Sequence, residues 1–196
     1  MATNAIVAGS VLVRREVQPA AFEQEYFTLR RSSGLFSHSC ICFDDQGVSL
    51  AYVRSITGVP RHGLPVYTDP TRSFQLLNIR RSNAGSFEVE DSFHRRRAGF
   101  VQRVEGNWLL KSAQGVTVGS MIGQSHVLGF LRRCLGQWLP QTYTLECNAE
   151  VLGSVTQEFR WGRYWLNADL RADQDHLLDR RLVLAALLLE IYEHAK

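Results

Sequence analysis

Hydrophobic and polar positions alternate with period two over most of this chain, in short runs broken by turn residues. That is the pattern of half-buried β-strands. Leu35–Phe43 and Val48–Arg54 flank Asp44-Asp45-Gln46-Gly47 and predict a hairpin. Gly58, Pro60, Gly63, Pro65 and Pro70 make Thr57–Pro70 a loop with one short strand around Val66-Tyr67. Phe74–Arg81, Phe87–Asp91 and Phe100–Val104 follow, with the basic stretch His94–Arg97 read as a loop. Trp108–Lys111, Val116–Ile122, Tyr143–Cys147, Val151–Phe159 and Trp161–Asn167 complete a set of about eleven strands, which predicts a barrel or a sandwich.

Two segments change period. Ser125–Leu139 places Val127, Leu131, Cys134 and Trp138 at helical spacing, although Gly129 and Gly136 each cost about 1 kcal/mol in a helix interior. The second helix is predicted over about 175–195, with Asp175 and Asp179 near its start and His194 and Lys196 at its close, as the helix dipole favours. Its middle, Leu182–Leu189, is apolar on every face. Such a helix is enclosed by protein or by lipid. Eight residues rise only about 12 Å, whereas a bilayer needs about 20 residues. The remaining enclosure is protein, so the sequence predicts a barrel closed around its terminal helix.

A weak repeat runs through the strands. An aromatic opens a strand, a hydrophobe sits two residues on, and a glycine followed by valine or another β-former begins the return. It occurs as Phe87-Glu88-Val89 with Gly99-Phe100-Val101, as Trp108-Leu109-Leu110 with Gly115-Val116 and Gly119, and as Tyr143-Thr144-Leu145 with Gly153-Ser154-Val155. These hairpins, followed by Asp179-Arg180-Arg181-Leu182 and an apolar helix, resemble the tubby C-terminal-like superfamily, which includes phospholipid scramblases and LURP-one-related proteins. The resemblance covers Leu35 to the C-terminus and is carried mostly by Asn167–Ala195. It implies one domain over 1–196, a mainly β fold, and a closed antiparallel barrel of about twelve strands threaded by the C-terminal helix, with one additional short helix. It also implies lipid or phosphoinositide binding and brings no catalytic signature. Scramblase-like proteins carry an acidic segment before the terminal helix that is proposed to bind calcium; here it matches Asp169, Asp173 and Asp175. Calcium takes oxygens from a flexible loop. This stretch lacks the glycine of a tight calcium loop and contains Arg171, so the residues themselves favour Asp173 or Asp175 as a helix cap. The proline-rich and palmitoylatable N-terminal segments of animal scramblases have no counterpart in this sequence, which weighs against lipid scrambling.

Composition adds limits. The chain has 196 residues, 45 % hydrophobic and 21 % charged, which fits one globular domain and excludes a fibrous or globally disordered chain. The net charge of +3 is too small for a dedicated nucleic-acid binder. The basic residues are 20 Arg and 2 Lys, many of the Arg in pairs. Solvated faces explain most of these, and the alternative is a face for anionic headgroups, which guanidinium forks suit. Residues 71–103 hold seven Arg against Glu88, Glu90 and Asp91. Arg80, Arg81, Arg95, Arg96 and Arg97 are therefore the candidate lipid-binding set. No targeting segment or membrane span stands out, and four cysteines without a CxxC pair read as reduced thiols, so the expected location is cytoplasmic, peripheral to a membrane.

Other constellations are weaker. His38, Cys40 and Cys42 alternate on one strand face and could begin a metal site, but no fourth ligand is evident. Cys134 or Cys147 could pair with a histidine as a nucleophile, but spacing places no such pair together. Neither HExxH, GxSxG nor a P-loop is present. Phe159, Trp161, Arg163 and Trp165 share a face by alternation, either against the terminal helix or as an aromatic and basic rim. The expectation is a non-enzymatic binding module for an anionic lipid or membrane surface, without a cofactor unless calcium binds. The alternative is a protein-interaction scaffold with no lipid ligand. Arginines gathered on one side would favour lipid, and even charge around a flat apolar patch would favour a protein partner.

Overall fold

The fold is seen in a computed structural model, which describes residues 19–33, 38–54, 63–83, 85–123, 141–160 and 163–193. Twelve antiparallel strands form a closed barrel. They are β1 (Tyr26–Ser33), β2 (His38–Phe43), β3 (Ser49–Arg54), β4 (Leu64–Tyr67), β5 (Gln75–Asn83), β6 (Ser86–Asp91), β7 (Arg96–Val104), β8 (Asn107–Ser112), β9 (Thr117–Gly123), β10 (Thr142–Cys147), β11 (Glu150–Arg160) and β12 (Arg163–Asp169). Each strand pairs with its neighbours in sequence, and β1 closes the barrel against β12, with Tyr26 opposite Asp169 and Arg30 opposite Trp165. A 3-10 turn, Ala20–Phe22, precedes β1, and one helix, α1 (Arg180–Glu193), follows β12.

The strand that alternation missed is β1. Its sequence Tyr-Phe-Thr-Leu-Arg-Arg-Ser-Ser holds only two inward hydrophobes, Phe27 and Leu29, before four polar residues. β7 also begins earlier than predicted, because Arg96 and Arg97 are the exposed first rungs of a strand rather than loop. The predicted helix over Ser125–Leu139 and Cys134 lie outside the described residues.

The terminal helix starts at Arg180, not near 175. Asp173 takes the backbone N–H groups of Leu177 and Leu178 at 2.8 and 3.1 Å and bends the chain, and His176 has positive φ, so the segment cannot yet be helical. The cap is Asp179: its carboxylate accepts the Arg181 N–H at 2.9 Å and its carbonyl accepts from Leu182 and Val183. Neither Asp173 nor Asp175 caps the helix.

Every residue of α1 from Leu182 to Tyr192 is buried. The helix faces β6, β7 and β8 on one side and β1 and β12 on the other, so it runs through the lumen. Its polar residue Glu190 is satisfied there by Trp108 Nε1, which donates at 2.8 Å, and by the Tyr143 hydroxyl. The repeat now has a physical meaning. Phe87, Trp108 and Tyr143 fill the lumen from β6, β8 and β10 toward the end reached by the helix C-terminus. Gly99 and Gly119 leave room at the other end. A Cβ on Gly99 would meet the Lys111 carbonyl oxygen and Leu182, and one on Gly119 would sit 2.5 Å from Leu178. Among the described residues no helix is long and apolar enough to cross a membrane.

Candidate functional site at the barrel mouth

In an up-and-down barrel, alternate turns lie at the same end. The turns after β2, β4, β6, β8 and β10 and the segment between β12 and α1 therefore surround the mouth through which the helix enters. Among the described residues, seven large hydrophobics are exposed: Val48, Phe74, Phe93, Val104, Val116, Val151 and Leu177. All but Val104 lie in or beside the turns of that mouth. Isolated exposed hydrophobes are ordinary, whereas exposed rings that meet each other, as Phe74 and Phe93 do, form a candidate interaction surface.

Aspartates set these tips. Asp44 accepts the Val48 N–H at 2.7 Å, Asp91 accepts the Phe93 and His94 N–H groups at 3.0 Å, and Asp173 accepts that of Leu177. Asp69 accepts the N–H of Thr71 at 2.8 Å and the hydroxyl of Thr68 at 2.7 Å in the turn that presents Phe74. Those bonds, led by the Thr71 hydroxyl, lower the Asp69 pKa to about 2. Phe74 and Phe93 meet edge to face at 5.5 Å between ring centres. Arg72, Arg95 and Arg96 are exposed in the same two turns and at the start of β7.

Two ion-paired arginines, one buried and one part-buried, anchor the mouth to α1. Arg180 donates to Asp173 at 2.6 Å, with both side chains enclosed. Arg181 joins Asp179 at 2.6 Å to Asp91 at 2.8 Å, and Asp91 also holds His94 Nδ1 at 2.7 Å. Burial pushes the Asp91 carboxyl up, but the His94 and Arg181 bonds outweigh it and hold its pKa below the ordinary value. The Asp179 bond chiefly holds Arg181 in its charged form. A cavity of about 640 Å³ opens here between Phe22, His176, Leu177, Leu178, Arg180 and Arg181. Both of its arginines are matched to carboxylates within the wall.

The structure separates the five predicted arginines. Arg80 pairs with Glu90 at 3.1 Å and Arg97 pairs with Glu88, so these two are neutralised on the outer wall. Arg81 lies over the Phe87 ring at 5.8 Å. It stands opposite Phe87 while Arg96 stands opposite Asp91, four residues away along β6, about 14 Å at about 3.4 Å per residue. Only Arg95 and Arg96 belong to the mouth.

Of the three acidic candidates, Asp169 is held by Arg171, whose bonds lower its pKa. Asp173 is committed to Arg180 and to the turn, and Asp175 is exposed. No group of three His, Cys, Asp or Glu among the described residues is placed to hold a metal ion. Cys40 and Cys42 do share the inward face of β2, buried beside the core, and His38 opens that strand. Burial pushes the Cys40 pKa up to about 12 and raises that of Cys42 well above the ordinary value, so both are neutral thiols. Cys147 is a buried free thiol at the end of β10. Trp165 faces outward, while Tyr164, Leu166 and Ala168 point into the barrel in its place.

The class defined by these features is a closed twelve-stranded antiparallel barrel plugged by its own C-terminal helix. A protein from Arabidopsis thaliana, known from an X-ray structure, has this fold: the two superimpose with a TM-score of 0.51 over 88 % of this chain and 90 % of that one, at 8 % identity. The likeness is one of fold. No family model and no curated protein sequence matches the chain.

Proposed function

We propose that this barrel is a non-enzymatic binding module of the tubby and scramblase-related kind, which docks its mouth reversibly on an anionic membrane surface from the cytoplasmic side. The observation that carries the reading is the pair of exposed rings Phe74 and Phe93, in contact with each other in two turns that also expose Arg72, Arg95 and Arg96. Asp69 and Asp91 hold the two turns in shape before docking, so little order has to be gained on binding. Exposed Glu150 and Asp175 lie elsewhere around the mouth. Repulsion there tilts the barrel onto its β4–β7 side. Three arginines at about 1 kcal/mol each, with two half-exposed phenylalanines adding about 1 kcal/mol each, give about 5 kcal/mol. That corresponds to weak, reversible binding with a dissociation constant of roughly 0.2 mM.

The test is co-sedimentation with vesicles containing phosphatidylserine. Wild type should bind at low salt and release as salt rises, because screening shortens the reach of the arginines to about 8 Å at physiological ionic strength. Phe74→Ser/Phe93→Ser and Arg95→Glu/Arg96→Glu should each remove binding, while Arg80→Glu should not. Failure of the wild type to sediment at low salt ends the membrane reading and leaves the apolar mouth to a protein partner.

A further inference from the structure

A groove of about 400 Å³ runs down the outer wall across β12, β1 and β2. Tyr26, Phe43, Asp44 and Asp45 line its part nearest the mouth, and Arg30 and Trp165 line the part further along the barrel. Its charges are separated. The Arg30 guanidinium lies 4.9 Å from the centre of the Trp165 ring, and no carboxylate pairs with it among the described residues. Asp44 accepts only backbone N–H groups, from Gln46 and Val48, and exposed Asp45 has no cationic partner among the described residues. Phe43 stands opposite Thr28, and Arg30 is two residues beyond it on β1, about 7 Å away at about 3.4 Å per residue. One end thus offers a guanidinium fork, suited to phosphate or carboxylate. The other offers aromatic faces beside two carboxylates, the surroundings that bind a quaternary ammonium.

We infer that this groove binds a small zwitterion, with its phosphate on Arg30 and its quaternary ammonium between Tyr26, Phe43 and the two aspartates. The polarity identifies the source. A lipid anchored in a surface at the mouth would present its phosphate on the mouth side and its ammonium beyond, and the groove has the opposite order. The occupant is therefore a free phosphocholine-type ester, a choice of source that rests on the mouth-docking reading.

Phosphocholine, choline and inorganic phosphate are the probes, followed by calorimetry and by 31P NMR on the whole chain. Phosphocholine should bind in the millimolar range, about tenfold more tightly than choline, the gain expected of one charge-assisted contact. Arg30→Gln should reduce phosphocholine to the level of choline. Asp45→Asn should weaken choline and phosphocholine equally and leave phosphate unchanged. Phe93→Ser, at the mouth, should alter none of these. The proposal is overturned if phosphocholine does not bind at tens of millimolar (about the weakest end of the affinity scale), if phosphate binds as well as phosphocholine, or if Arg30→Gln leaves its affinity intact. It is equally overturned if vesicles of phosphatidylcholine bind through Arg30 and the free ester does not.

Discussion

Four aspartates, Asp44, Asp69, Asp91 and Asp173, do the same local work: each spends its carboxylate on backbone N–H groups of a mouth turn. Short acidic side chains suit such turns because they bond the backbone a few residues on. Asp91 carries the most, since it also ties that turn to α1 through Arg181. Its pKa is lowered, so the fold favours the charged form. The contribution is whole above the ordinary aspartate range near about 4 and is lost as pH falls through the lower, folded-state value. Wild type should lose thermal stability on acidification below about pH 4. Asp91→Asn should start about 1–3 kcal/mol less stable at neutral pH and show a flatter acid limb, checked by melting curves at stepped pH. An unchanged acid limb in Asp91→Asn would remove Asp91 from this role. Little of this was legible beforehand. Asp173 drew attention as a calcium ligand or a cap, because sequence shows which residue can accept a hydrogen bond but not which N–H will reach it. The tips could have been sought as lone hydrophobes two to five residues after a turn aspartate: Val48 after Asp44, Phe74 after Asp69, Phe93 after Asp91, Leu177 after Asp173.

At the scale of elements, the repeat of aromatic and glycine was visible in the sequence and its reason was not. Period-two alternation says that Gly99 and Gly119 face inward; it cannot say that Leu182 and Leu178 pass over them. The two sites should respond differently to a methyl group. On Gly99 it meets the Lys111 backbone oxygen, which belongs to the β7–β8 ladder and cannot move alone, with Leu182 at 3.2 Å behind it. On Gly119 the nearest atom is the end of the Leu178 side chain, which can turn aside, and the nearest backbone atom is the Glu146 oxygen at 3.0 Å, farther off than the Lys111 oxygen is from a methyl on Gly99. Gly99→Ala should cost about 1–3 kcal/mol, the usual price of overpacking, and Gly119→Ala clearly less, as read by urea denaturation. Equal effects would mean that Leu178 is held as firmly as the strand backbone and cannot turn aside. Strand interiors were legible wherever one face is buried, as in β6 with Phe87 and Val89 inward. Strand ends were not, because Arg96 and Arg97 of β7 and Ser82 and Asn83 of β5 are exposed rungs whose pairing leaves no apolar mark.

For the whole molecule, the decisive feature is a helix with no polar face. Leu184, Ala185, Leu187 and Leu188 are enclosed by strands on all sides, as an apolar stretch too short for a bilayer requires. Leu187→Asp places a charge in the lumen at a cost of several kcal/mol, against a total stability of about 5–15 kcal/mol. It should leave no cooperative thermal transition, and a variant that melts like wild type would contradict the threaded barrel. The architecture was thus readable from one helix, whereas the end proposed to dock was not. Which turns share the mouth follows from strand order, and strand order is set by pairing rather than by any single segment. The seam between β1 and β12 has a temporal consequence as well. The bond between Thr28 and Asn167 joins residues 139 apart, while the other strand pairs join chain neighbours. Hairpin by hairpin, the sheet can assemble as the chain leaves the ribosome, but its two edges cannot meet until β12 has emerged, and the lumen stays unfilled until α1 follows. Until then a curled sheet with a bare apolar inner face and two unpaired edges stands open to its neighbours. The segment made after every strand decides whether that sheet closes on itself or on another chain.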